Sequence, residues 1–214
     1  MDLFHSTEGL PRVPVLDLTP ASEDDFFWEF ARAESDSPRF GPSYERALGG
    51  ALLARLASDD QGGLTETDRA SIRSAVLGVR GGYVSSLVGL GVRWYRGHLP
   101  IQELLNVRVL RLPAFTNLAP SRRLSEFVDM LDSGNLTQGD DFGANYARVR
   151  PRFDPKRSRG LPVVVADNVL GPYLEIEGLT RMAVLVSRFM REKVPLRVPM
   201  MLGVCTRLTE WGFA

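Results

Sequence analysis

Residues 161–204 constrain this chain more than any other stretch. They read LPVVVADNVLGPYLEIEGLTRMAVLVSRFMREKVPLRVPMMLGV. Val163-Val164-Val165 is a run of β-branched residues, the pattern of a strand buried on both faces. Asp167-Asn168 and Gly171-Pro172 supply a turn, and Tyr173-Leu174-Glu175-Ile176 reads as the next strand. Thr180–Arg191 has helical spacing: Leu185 and Phe189 are four apart, with Met182 and Val186 beside them. Leu196–Val204 returns as a strand. The unit is therefore strand–turn–strand–helix–strand, and its one abrupt junction is Glu177-Gly178 before the helix.

That junction is where chemistry is expected. A helix N-terminus presents unpaired N–H groups and the positive end of the peptide dipole, which suits an anion, above all a phosphate. Gly178 permits an unusual backbone angle or close ligand approach. Arg181 offers a planar donor fork. Thr180 either donates its hydroxyl or caps the helix. Glu177 is the candidate for an acid/base or metal-orienting carboxylate. A tight turn with Arg181 paired to a carboxylate accounts for the same residues.

The chain has 214 residues with 44% hydrophobic and 24% charged side chains, enough for one substantial core. Its 26 basic and 26 acidic residues cancel, which argues against a broad basic nucleic-acid surface. The charge is uneven: residues 1–60 hold 12 acids and 5 bases, leaving the remainder net positive by seven. The single cysteine, Cys205, forms no internal disulfide and builds no thiolate metal site. No apolar stretch approaches the roughly 20 residues that span a bilayer. The acidic N-terminus lacks a signal-peptide core. The expectation is a cytoplasmic protein without membrane contact.

Residues 1–20 are rich in proline and turn formers and are expected to be irregular. Ser22 is a helix cap for EDDFFWEFARAE, with Phe26, Phe27 and Phe30 on an apolar face and Trp28 on a second. This helix either docks on the core or forms an aromatic lid. YERALGGALLARLAS reads as a helix, and Thr65 opens another running through SIRSAVLGVRGGYVSSLVGLGVRWYRG, broken in two near Gly81-Gly82. Leu99–Leu104 enters the α/β core, Val107–Leu112 alternates like a strand, and RRLSEFVDMLDSG is a helix stopped by Gly134. The expected architecture is mixed α+β. Residues 1–98 form a mainly helical extension and residues 99–214 a sheet-and-helix domain.

Arg148, Arg150, Arg152, Lys156, Arg157 and Arg159 crowd one stretch. Extended, it places Arg148, Arg150 and Arg152 on one side. It is a solvated loop or a phosphate contact, in a nucleotide or a nucleic acid. His98, near Trp94-Tyr95, is a structural or surface histidine, or a catalytic one. Asp167 is a turn residue or a ligand contact.

Glu177-Gly178-Leu179-Thr180-Arg181-Met182-Ala183 resembles the motif of the ParB/sulfiredoxin-like superfamily: strand, acid, glycine, two variable residues, arginine, then a helix of small and apolar residues. The flanking strand order is similar over residues 161–204, and a looser likeness extends from residue 99. The resemblance implies that Gly178, Leu179, Thr180 and Arg181 hold the phosphates of ATP, ADP or CTP with Mg2+. It implies that Glu177 lies near a substrate hydroxyl or a water. Where many members carry a polar residue after the glycine, this chain has Leu179. The cysteine that sulfinic acid reduction needs in the motif is missing. Only ten residues follow Val204, so the resemblance does not carry the partition proteins' DNA-binding domain.

The expected function is a nucleotide-binding protein, an Mg2+-dependent phosphoryl-transfer or nucleotide-hydrolysing enzyme with a small-molecule acceptor. Two alternatives stand beside it. One is a nuclease or nucleic-acid-binding protein working through Arg148–Arg159. The other is a regulatory module that senses a nucleotide or a protein partner without transforming it.

Overall fold

The structure is a computed structural model, and it describes residues 16–112, 119–134, 141–155 and 157–214. Ser22 caps the first helix reciprocally with Asp25. This helix, α1 (Glu23–Ser35), is followed by α2 (Gly41–Ser58) and α3 (Glu66–Val88). Thr65 and Asp68 form the same reciprocal cap on α3. Both later helices are kinked at a glycine with positive φ, Gly49 (69°) in α2 and Gly81 (34°) in α3. The break expected near Gly81-Gly82 is therefore present.

Five strands form one sheet: β1 (Leu16–Ala21), β2 (Arg93–Pro100), β3 (Val163–Ala166), β4 (Leu174–Glu177) and β5 (Arg197–Val204). Their order across the sheet is β1-β2-β5-β3-β4. Only β5 and β3 pair in parallel; the other neighbours are antiparallel. The short α4 (Ile101–Leu104) follows β2. Then come α5 (Leu124–Asp132), α6 (Asp141–Val149) and α7 (Leu179–Glu192), the last connecting β4 to β5. The fold is mixed α+β, and the expected strand–turn–strand–helix–strand unit is β3, β4, α7 and β5.

Alternation along the strands sorts the core into two halves. Val164, Ala166, Met200 and Leu202 face α5, α6 and α7. Val163, Val165, Met201, Leu174 and Ile176 face α1, α2 and α3. Both faces of the sheet are covered by helices, which is why β3 is buried at all four residues. Phe26 of α1 stacks on Trp94 of β2 with ring centroids 4.1 Å apart and planes 8° from parallel. All four aromatic residues of α1 are core residues at 2% exposure or less, so the helix docks and forms no lid.

Four expectations change. Leu16–Ala21 is an edge strand, not irregular chain; pairing with β2 imposes it, and an edge position tolerates Pro20. The helix after Thr65 ends at Val88, and Arg93–Gly97 belongs to β2, where pairing with β5 overrides the helical pattern. The boundary expected between residues 98 and 99 falls inside β2. Val107–Leu112 is not a regular strand: Arg108 alone bridges to Arg123 on one side and Leu174 on the other. Of the expected irregular N-terminus, residues 1–15 lie outside the described residues, as does Lys156.

Phe26→Ala removes a ring packed against both Trp94 and Phe30. A loss of about 3–5 kcal/mol is expected for an aromatic deletion at such a site. Urea denaturation followed by tryptophan fluorescence measures it, and a loss under about 1 kcal/mol would contradict this packing.

Candidate functional site

The turn between β4 and α7 is shaped by what crowds it. Gly178 has φ 93° and ψ 19°, a left-handed conformation that disfavours any side chain. A Cβ there would sit 2.9 Å from the Arg181 guanidinium and 3.1 Å from Cα of Pro162. Glycine is needed at this position for backbone geometry and for close packing alike. As N-cap of α7 it offers no side-chain acceptor, so the first-turn N–H groups need other partners.

The carboxyl of Glu175, a residue 3% exposed, lies behind the turn, where the Leu179 N–H favours its charged form. Thr180 stands on the outer side of the same turn. Its hydroxyl accepts from Asn145 Nδ2 of α6 at 3.1 Å, and Asn145 Oδ1 accepts from Arg148 Nη2 at 2.6 Å. Thr180 and Arg148, distant in sequence, thus join through Asn145, with the Arg148 side chain exposed.

Arg181 points inward, away from this rim. Its Nη1 donates to the carbonyl of Arg159 at 2.7 Å, to the Ser158 hydroxyl at 3.4 Å and to the carbonyl of Gly160. Its Nη2 lies 3.6 Å from Glu177 Oε1, and the side chain is 13% exposed. Glu177 is also 3.7 Å from Arg80 Nη2 of α3. Arg80 in turn grips both carboxylate oxygens of Glu34. The acid and the arginine of the motif are therefore neighbours in a frame behind the turn.

That frame contains residues that sequence reasoning did not single out: Glu34, Tyr44, Arg80, Tyr83 and Glu175. Burial drives the Glu175 carboxyl up to about 8, with the nearby Glu177 charge adding to it. Burial also raises Glu34, Tyr44 and Tyr83. A signal was present for two of them. Glu34 follows Phe27 and Phe30 at helical spacing on a buried stripe, and Glu175 stands between Leu174 and Ile176 in a buried strand. A charged residue in either pattern marks an internal polar contact.

The remaining expected residues disperse. His98 lies three strands from β4 across the sheet, with Nδ1 3.7 Å from Asp17. Asp167 follows the end of β3 opposite the turn, since Val163 is the residue paired with Glu177. The basic stretch is not extended: Arg148 lies in the last turn of α6, and Arg150–Arg152 is a single 3-10 turn. Local helix geometry removes the alternation that would align Arg148, Arg150 and Arg152. Arg150 pairs with Asp132 at 2.8 Å, Arg157 with Asp154 at 3.6 Å and Arg159 with Asp36 at 3.3 Å.

Among the described residues, no group of three or more His, Cys, Asp or Glu side chains is placed to hold a metal. A groove of about 540 Å3 lies between α2 and α3, bordered by Ser43, Ala47, Ser71, Ser74 and Gly78, away from the turn. No described helix is long and apolar enough to cross a membrane. No family model matches the chain, and no curated protein or solved structure matches it.

Arg181→Ala leaves the carbonyls of Arg159 and Gly160 without this donor and removes one of the two guanidiniums beside Glu177. A loss of about 2–4 kcal/mol is expected from uncompensated buried polar groups. Arg181→Lys should recover little of it, because a point charge does not reproduce the fork. Thermal and urea unfolding of both variants test this; wild-type stability in Arg181→Ala would show that the frame is dispensable.

Proposed function

We propose that this is a phosphate-recognising, nucleotide-binding protein that takes the phosphate on the outer side of the α7 first turn. The observation that carries the reading is the hydrogen-bonded chain Arg148–Asn145–Thr180 at a helix N-terminus that opens from a left-handed glycine. The dipole end and the N–H groups attract the anion. Thr180 supplies a hydroxyl, and Arg148 supplies an exposed guanidinium that can leave Asn145 for a phosphoryl oxygen. Arg181 and Glu177 hold the turn in shape and do not themselves contact the anion.

The β3–β4–α7–β5 order supports a ParB/sulfiredoxin-like core, with ATP, ADP or CTP as the ligands to try first. The fit to Mg2+ is poor among the described residues. Glu177, the expected carboxylate, is engaged by two guanidiniums. No phosphoryl-transfer step is therefore assigned, and the reading stops at binding. The nucleic-acid alternative is weaker, because three arginines of the basic stretch are neutralised by Asp132, Asp154 and Asp36.

Calorimetry with ATP, ADP, CTP and inorganic phosphate tests the reading. Saturable binding is expected, weakened about tenfold in Arg148→Ala, the value of one charge-assisted hydrogen bond of about 1.4 kcal/mol. Thr180→Val should weaken it similarly. Arg148 is exposed and outside the core, so its variant keeps the fold. Binding by none of the four ligands, or equal binding by wild type and both variants, rules the site out.

A further inference from the structure

The frame behind the turn has an imbalance of charge. Among the described residues, Glu34 and Glu177 are paired by the guanidiniums of Arg80 and Arg181 while Glu175 makes no ion pair, in a region where Glu34 is 2% and Glu175 3% exposed. An uncompensated buried carboxylate is costly, and the cheapest remedy is for one carboxyl to stay neutral. The group is also the polar contact between layers. Glu34 comes from α1, Tyr44 from α2, Arg80 and Tyr83 from α3, the other two carboxyls from β4, and Arg181 from α7.

We propose that Glu34, Glu175 and Glu177 hold one proton between them at neutral pH, and that this proton latches the α1–α3 layer onto β4 and the start of α7. The contacts assign it to Glu175. Glu34 is gripped by Arg80 through both oxygens, and Glu177 lies between two arginines. Glu175 makes no ion pair among the described residues, and its buried Oε2 has no hydrogen-bond partner. A neutral Glu175 leaves two carboxylates for two guanidiniums. Losing the proton to water places a net negative charge in the frame.

Every neighbouring element acts on this equilibrium. Burial and the Glu177 charge hold the proton on Glu175, while Arg80, Arg181 and the Leu179 N–H favour release. Glu34 is likewise raised by burial and by Glu177, against Arg80. Tyr44 and Tyr83 are held neutral by burial and by the same carboxylates. The unfolded chain binds this proton only near the ordinary carboxyl value of 4.5, and the folded one up to about 8. The stabilisation is complete below the ordinary value. It falls as pH rises between the two and is gone above the folded value.

Infrared spectroscopy of the whole chain reads the proton directly. The wild type at about pH 7 should show a protonated-carboxyl C=O band that disappears by about pH 10, well above ordinary carboxyl titration. The band should be absent in Glu175→Gln or in Glu34→Gln. Urea unfolding at a series of pH values reads the latch. The folding constant of the wild type should fall by up to about tenfold per pH unit across this window, the slope of one proton. Glu175→Gln, which mimics the neutral carboxyl, should be flat there. No band in the wild type, or a band unchanged in both variants, overturns the proposal. So does wild-type stability that is level across the window. If Glu175→Gln does not fold, the wild-type band and slope still decide.

Discussion

The fold hangs on how residues 158–162 are held. This segment leads into β3, the most buried strand, and is gripped from two sides. From the sheet side, Arg181 donates into the carbonyls of Arg159 and Gly160. From the helical side, the Leu161 N–H donates to Glu29 of α1 at 3.1 Å. Gly160, at φ 66°, lies so close to α1 that a Cβ would come within 2.5 Å of the Glu29 carbonyl. Glu29 also contacts Arg32 and Arg96, each at 3.2 Å. One charged network therefore ties α1, β2, the 158–162 segment and α7 together.

This network explains why an arginine at a helix start need not be a ligand contact. A guanidinium has five donors in a rigid fork, and carbonyl oxygens of an irregular segment are as good a set of acceptors as a phosphate. Buried carbonyls need donors, and here Arg181 supplies them. The consequence for the turn is a division of labour. Arg181 and Glu177 set the conformation of Gly178 from behind, while Thr180, Asn145 and Arg148 make up the accessible rim.

Much of the α/β unit was legible in the sequence. The β-branched run at Val163–Val165, the glycine at 178 and the apolar spacing of α7 are local patterns, and local patterns report local structure. The caps of α1 and α3 were equally plain at Ser22 and Thr65. The strands β1 and β2 were not, because Leu16–Ala21 contains a proline and Arg93–Gly97 continues a helix-like run; both are strands only because they find partners far along the chain. The frame of Glu34, Arg80 and Glu175 was hidden for the same reason. Its members lie on three elements, and only the single acidic residues on apolar stripes hinted at it.

The sequence by itself determined the elements whose signal is contained within a dozen residues: the capped helices, the buried β-branched strand and the glycine turn before α7. Periodicity and capping act over that range, so they survive without knowledge of the fold. Tertiary structure alone decided which charges meet. It turned Arg181 inward, dispersed His98 and Asp167, neutralised much of the basic stretch, and brought Thr180 and Arg148 to one rim. Burial and pairing depend on what packs nearby in space, and a guanidinium beside a carbonyl reads no differently along the chain from one beside a phosphate.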